Sequence, residues 1–169
     1  MNKRLHIIVV LMLLFSILTQ ITYSRTVVAQ DNDNVQIEYL ENGDYLVTTI
    51  TEQPSLTNTF GISLYSEPTT VTKSKTKKYY NKYNNVIWYL KVTGTFTYGH
   101  GYAQCTKSVA TCKSNSNLWK LTNKKASKAG NIAMAYVKAN LYKSFLATKP
   151  VRIIEQYLNL ECSTTGKFK

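Results

Sequence analysis

The segment Val86–Tyr98 constrains this chain more than any other. Trp88, Leu90, Val92, Gly94, Phe96 and Tyr98 take the even positions, while Lys91, Thr93, Thr95 and Thr97 take odd ones. Strand side chains alternate between two faces with period 2, whereas a helix would scatter these residues around its circumference. The segment therefore predicts an extended core strand with one apolar and one polar face. Such alternation belongs to antiparallel sheets that are solvated on one side.

The same periodicity runs from residue 34 onward. Val35–Leu40 and Asp44–Thr51 flank Asn42-Gly43, a strong hairpin signal. In the two-residue-loop register Tyr39 faces Leu46, Ile37 faces Thr48 and Val35 faces Ile50. Residues 53–68, with Pro54 and Pro68, read as a connector with a short strand around Phe60, Ile62 and Leu64. Thr69–Tyr80 alternates weakly, Asn84-Asn85 marks a turn, and Gly99-His100-Gly101 leads into Tyr102–Cys112. Leu118–Ala126 and Ile132–Leu141 flank Ala129-Gly130-Asn131 as another hairpin. A short helix over Tyr136–Leu146 is the alternative there, but Ala133, Ala135, Val137 and Ala139 alternate cleanly and favour strand. Val151–Cys162, after Pro150, places Ile154, Leu158, Leu160 and Cys162 on one face. Many strands separated by turn residues predict an all-β chain: an antiparallel β-sandwich, Ig-like or a small barrel, after an N-terminal signal helix.

That signal is read at the start. Lys3 and Arg4 precede the apolar run Ile7–Leu18, which is broken only by Ser16. At 1.5 Å per residue the run is too short to cross about 30 Å of hydrocarbon easily. A positive start, a short apolar run and Val27-Val28-Ala29 match a secretory signal cleaved after Ala29, with Ser24 the other candidate. The expected organisation is a signal peptide over 1–29, an acidic hairpin and connector over 30–68, and a basic β-sandwich body over 69–169. The expected location is secreted, or extracellular.

Charge sharpens this division. The whole chain has 21 Lys+Arg against 9 Asp+Glu, a net +12. Removing the signal leaves about +9, split between an arm of −7 before Pro68 and a body of +16 after it. The acidic hairpin is therefore able to dock on the basic body as an added strand and mask its lysines.

The chemical motifs are few. Cys105, Cys112 and Cys162 follow an export signal, so a disulfide is permitted. Cys105 and Cys112 on one continuous strand would face opposite sides, about 23 Å apart, beyond disulfide reach. Cys105–Cys162 is the preferred disulfide, leaving Cys112 as a spare thiol. His100 is the one histidine after the signal, so it reads as a turn residue between two glycines rather than a catalytic base or metal ligand. Asp31-Asn32-Asp33-Asn34 starts like a calcium loop, but Gln36 stands where glycine is required. Glu38, Glu41, Asp44, Glu155 and Glu161 offer no evident buried acid pair. No catalytic motif, metal site or cofactor site is expected, and the chain reads as not an enzyme.

The distinctive surface signal is lysine interleaved with tyrosine. Lys73, Lys75, Lys77, Lys78, Tyr79, Tyr80 and Lys82, with Lys124 and Lys125, are the candidate polyanion-binding residues. Lysines attract polyanions at long range and tyrosines offer stacking surfaces. A bland alternative is a solvated strand face whose lysines protect an edge. Arg152 is the one arginine in the body, so nucleic acid is not the expected partner.

Four segments carry a resemblance. They are Glu38-Tyr39-Leu40-Glu41-Asn42-Gly43-Asp44-Tyr45, Lys77-Lys78-Tyr79-Tyr80 leading to Trp88, Thr93-Gly94-Thr95-Phe96-Thr97-Tyr98 before Cys105, and Leu160-Glu161-Cys162 followed by Gly166. In these the chain resembles small exported β-domain proteins of clostridial-type Gram-positive bacteria. The resemblance implies a single exported β domain with its outer two cysteines paired and Cys112 added; it implies no activity. The expected function is that of a secreted non-catalytic domain binding an anionic cell-wall polymer, lipid surface or glycan. The alternative is a bacteriocin-like or toxin-like effector acting on membranes.

Overall fold

The computed structural model describes residues 35–52 and 67–169. The expected signal peptide, the calcium-like Asp31–Asn34 segment and most of the connector lie outside the described residues. Eight strands follow one another: β1 (Val35–Tyr39), β2 (Tyr45–Glu52), β3 (Thr69–Tyr80), β4 (Val86–Gly99), β5 (Tyr102–Ser114), β6 (Trp119–Ala129), β7 (Ile132–Leu141) and β8 (Arg152–Glu161). They form a five-stranded sheet, β1-β2-β3-β4-β5, and a three-stranded sheet, β6-β7-β8. Every pairing is antiparallel and joins neighbours in sequence. The described residues therefore form an all-β sandwich, and the acidic hairpin shares one sheet with the basic body.

The alternation of β4 is realised as read. Leu90, Val92 and Phe96 are fully buried and pack with Ala133, Ala135, Val137, Leu158 and Leu160 of the opposing sheet, while fully buried Trp88 packs in a second cluster with Leu46, Tyr79, Trp119 and Ala139. Gly94 marks a close approach of the sheets: a Cβ built there would lie 2.8 Å from the Ala133 Cβ and against the Phe96 ring. The outer face carries hydroxyl pairs across β3 and β4, with Thr70–Thr97 at 2.9 Å, Thr72–Thr95 at 3.1 Å and Ser74–Thr93 at 2.9 Å. Residues 132–141 form strand β7 and not the alternative helix. A run of small residues at alternate positions lets β7 lie close against β4.

Two details differ from the sequence reading. The β1–β2 register is shifted by one: Tyr39 pairs with Tyr45, Ile37 with Val47 and Val35 with Thr49. The Leu40 carbonyl accepts from Gly43 N, and Leu40 N donates to the Asp44 carbonyl. The loop is thus three residues, Glu41–Gly43, with Gly43 at φ +82°, a turn ending in a left-handed glycine. A one-residue shift exchanges faces, so Leu46, Thr48 and Ile50 share a face with Gln36 and Glu38. The second difference is a bulge in β5. Lys107 pairs with Thr95 and Cys105 with Phe96, leaving Thr106 as an extra residue. The extra residue changes parity, so Cys105 and Cys112 face the same side, not opposite sides.

All three cysteines are thiols in this structure, so the expected Cys105–Cys162 disulfide is not formed in it. Cys105 and Cys162 are nonetheless buried in one cluster. Cys105 N donates to the Gly130 carbonyl and Cys162 N to the Asn131 carbonyl, so both sulfurs' strands meet at the β6–β7 turn.

Candidate functional site

The lysine–tyrosine stretch does not make one surface. Pairing of β3 with β4 sets Lys77 opposite Leu90, Lys75 opposite Val92 and Lys73 opposite Gly94, so these three lysines point to the core side. They remain half-buried because the five-stranded sheet is wider than its partner and β3 lies at the margin, near β8. Lysine stems cover apolar surface while ammonium groups reach toward solvent. Lys77 Nζ donates to Gln156 Oε1 of β8 at 3.0 Å, and Lys73 Nζ lies 5.3 Å from the Phe168 ring centre. Burial lowers the pKa of Lys75, with Lys77 adding to the effect, and burial also lowers that of Lys77 against the opposing pull of Glu38.

Tyr79 is a core residue. It stacks on Trp88 at 5.1 Å and tilts against Trp119 at 5.3 Å. Its hydroxyl donates to Asp44 and accepts from Arg152. Burial, reinforced by Asp44, pushes this phenol up to about 12. Asp44 also accepts from Asn42 Nδ2 at 2.6 Å and Lys82 N at 3.0 Å, and lies 3.9 Å from the Arg152 guanidinium. This carboxylate joins the β1–β2 loop, the β3–β4 loop and the start of β8. On the opposite face of the five-stranded sheet Lys78 is exposed, and Tyr80 stacks on Tyr45 at 4.9 Å with Tyr39 beyond. Lys82 sits in the β3–β4 loop over Tyr83. Lys124 and Lys125 lie on β6, far along the other sheet.

The structure instead brings together a groove on the outer face of the three-stranded sheet. It has a volume of about 410 Å³. Register builds it in rows: Lys125, Tyr136 and Tyr157 lie side by side across β6, β7 and β8, and Ser127, Met134 and Asn159 form the next row. Asn123 joins from a bulge, where β6 places Asn123 and Lys124 between Thr122 and Lys125, with Asn123 at φ +55°. Bulges re-aim side chains beside binding sites. The rings of Tyr136 and Tyr157 lie 4.7 Å apart at 39°, and Tyr157 is 66% exposed. Desolvation and then Glu155 raise the Tyr136 phenol. Glu155 pairs with Lys138 at 3.3 Å on the far side of the tyrosine row, so Lys125 is the cation that borders the groove.

Of the residues expected to bind polyanions, Lys125 alone lines this groove. Tyr136, Tyr157, Asn123 and Asn159 were outside the sequence expectation. Their one sequence signal is that tyrosine and asparagine occupy the parity of β7 and β8 opposite to the buried alanines and leucines. Among the described residues no three His, Cys, Asp or Glu side chains come together as a metal site, and no helix is long and apolar enough to cross a membrane. His100 is exposed in its turn at φ +52°. Aromatic faces with amides, a hydroxyl and one ammonium around them suit a sugar ring: its C–H face stacks on the rings, its hydroxyls meet the amides and an acidic substituent meets Lys125. No family model, curated protein or solved structure matches the chain.

Proposed function

We propose that the protein is an exported, non-catalytic β domain that binds an anionic cell-surface polymer or glycan in the groove of β6, β7 and β8. The carrying observation is the Lys125–Tyr136–Tyr157 row flanked by Asn123, Ser127 and Asn159. The overall positive charge supports the reading by concentrating an anionic polymer near the domain. In an oxidising exterior, Cys105 and Cys162 are the pair that would close, giving two protons and two electrons to a disulfide oxidant.

The test is calorimetric titration with a phosphate- or uronate-bearing wall glycan and with its neutral counterpart. The acidic glycan binds, salt weakens the binding, and Tyr157→Ala lowers affinity about tenfold, the value of one ring contact near 1.4 kcal/mol. Lys125→Gln removes the preference for the acidic form and leaves the neutral one unaffected. Equal affinity of wild type and Tyr157→Ala refutes this site.

A further inference from the structure

The three most exposed large apolar side chains among the described residues are Leu146 at 77%, Phe145 at 73% and Tyr83 at 71%. All three stand on loops at one end of the sandwich. The β7–β8 loop is closed at its base by Tyr142 N to the Leu118 carbonyl, 2.9 Å, and Val151 N to the Leu141 carbonyl, 2.7 Å. Within it Ala147 N donates to the Ser144 carbonyl at 3.2 Å, so Phe145 and Leu146 occupy the two central positions of a turn. Those positions normally carry Gly, Pro, Asn, Asp or Ser. Neither residue needs a left-handed backbone, so the turn itself accepts them, but both large apolar side chains are left without packing in the free domain.

Tyr83 stands on the β3–β4 loop, which is held by Asn81 Oδ1 accepting from Tyr83 N and Asn85 N, each at 3.0 Å. Asp44 fixes both loops at the same end, since it accepts from Lys82 N and pairs with Arg152 at the start of β8. The Tyr45 hydroxyl donates to Asn84 at 3.0 Å, so the Tyr39–Tyr45–Tyr80 row borders this end as well. Lys82, Lys143 and Lys149 flank the tips and are exposed. Against them stand Asp44, which is engaged as described, and exposed Glu41.

We propose that this end of the sandwich docks on an anionic lipid bilayer, with Phe145 and Leu146 entering the boundary between headgroups and acyl chains. Apolar tips, a tyrosine border and lysines behind them follow the layering of a bilayer interface: hydrocarbon, interfacial aromatics, then phosphates. Separate tips on two loops fit a fluid surface, whereas a stable protein partner needs a continuous complementary face of about 800 Å². The residues involved are distinct from the glycan groove, so either site can fail alone.

The test is co-sedimentation of the full chain with phosphatidylcholine vesicles, with and without phosphatidylglycerol. Wild type binds the anionic vesicles, and salt weakens the binding. Phe145→Ser/Leu146→Ser lowers partitioning about a hundredfold, the sum expected for two partly buried apolar side chains. Lys143→Glu/Lys149→Glu lowers it about tenfold or more. Both comparisons hold the N-terminal segment constant, and unchanged melting temperatures confirm that the exposed replacements leave the fold intact. A Phe145→Trp variant shows a blue-shifted emission on anionic vesicles only, over the constant signal of buried Trp88 and Trp119. Equal partitioning of wild type and the Ser variants overturns the proposal. So does a loop-dependent interaction with a protein that persists without lipid.

Discussion

Gly94 offers the sharpest quantitative test of the sandwich. Its replacement by alanine adds one methyl at the point where β4 meets β7. That methyl would stand 2.8 Å from the Ala133 Cβ and against the Phe96 ring. An unstrained carbon contact lies near 3.5–4.0 Å, so relief needs about 1 Å of movement. Phe96 can leave its rotamer at about 0.5–1.5 kcal/mol, or the sheets can part and lose dispersion contacts along Leu90, Val92 and Ala135. Either route falls in the range of about 1–3 kcal/mol for an overpacked core. Alanine recovers about 0.5–1 kcal/mol of the entropy that glycine loses in a strand. The net expectation is a loss of about 1–2 kcal/mol, a melting temperature lower by roughly 3–8 °C. Urea and thermal unfolding of Gly94→Ala and of Gly94→Ala/Ala133→Gly read this, and the pair should show favourable coupling of about 0.5–1 kcal/mol. A Gly94→Ala protein as stable as wild type would refute the close approach of the two sheets.

Other expectations follow from the buried polar groups. Tyr79 has a folded pKa raised to about 12, so the stability it contributes is complete below pH 10 and lost as pH rises through about 12. Tyr79→Phe should cost about 1–2 kcal/mol near neutrality and flatten that alkaline fall; an unchanged fall would remove Tyr79 as its source. Lys75 has a lowered folded pKa, so its charge destabilises the fold at neutral pH and the penalty fades as pH approaches 10.5. Lys75→Met should raise the melting temperature at pH 7, with the gain shrinking toward pH 10.5; a gain independent of pH would point to packing alone. Burial raises the thiol pKa of all three cysteines, but Cys112 is less buried than Cys105 and Cys162. Iodoacetamide should therefore label Cys112 first in the reduced native protein, as peptide mass mapping would read. Earlier labelling of Cys162 would contradict its burial.

What the sequence by itself determined was local. The alternation at Val86–Tyr98 made β4 a half-buried strand, the small residues at alternate positions made 132–141 a strand, and Gly130 marked its turn. These features need only the period of a strand and the φ of a turn residue. Which parity of β3 faces the core is a property of its pairing with β4, and that pairing turned Lys73, Lys75 and Lys77 inward. The weak alternation of Thr69–Tyr80 is the trace of this, because its core-side positions carry lysine at the sandwich margin. The three-residue loop after Leu40 and the bulges at Thr106 and Asn123 were equally hidden. One extra residue exchanges the faces of everything beyond it, and its placement is settled by the partner strand. Asp44 as the link between three chain segments, and the Lys125–Tyr136–Tyr157 row, exist only after registers are fixed across strands distant in sequence. Tertiary structure thus decided the sites, since a binding surface is a set of side chains from different strands sharing one face.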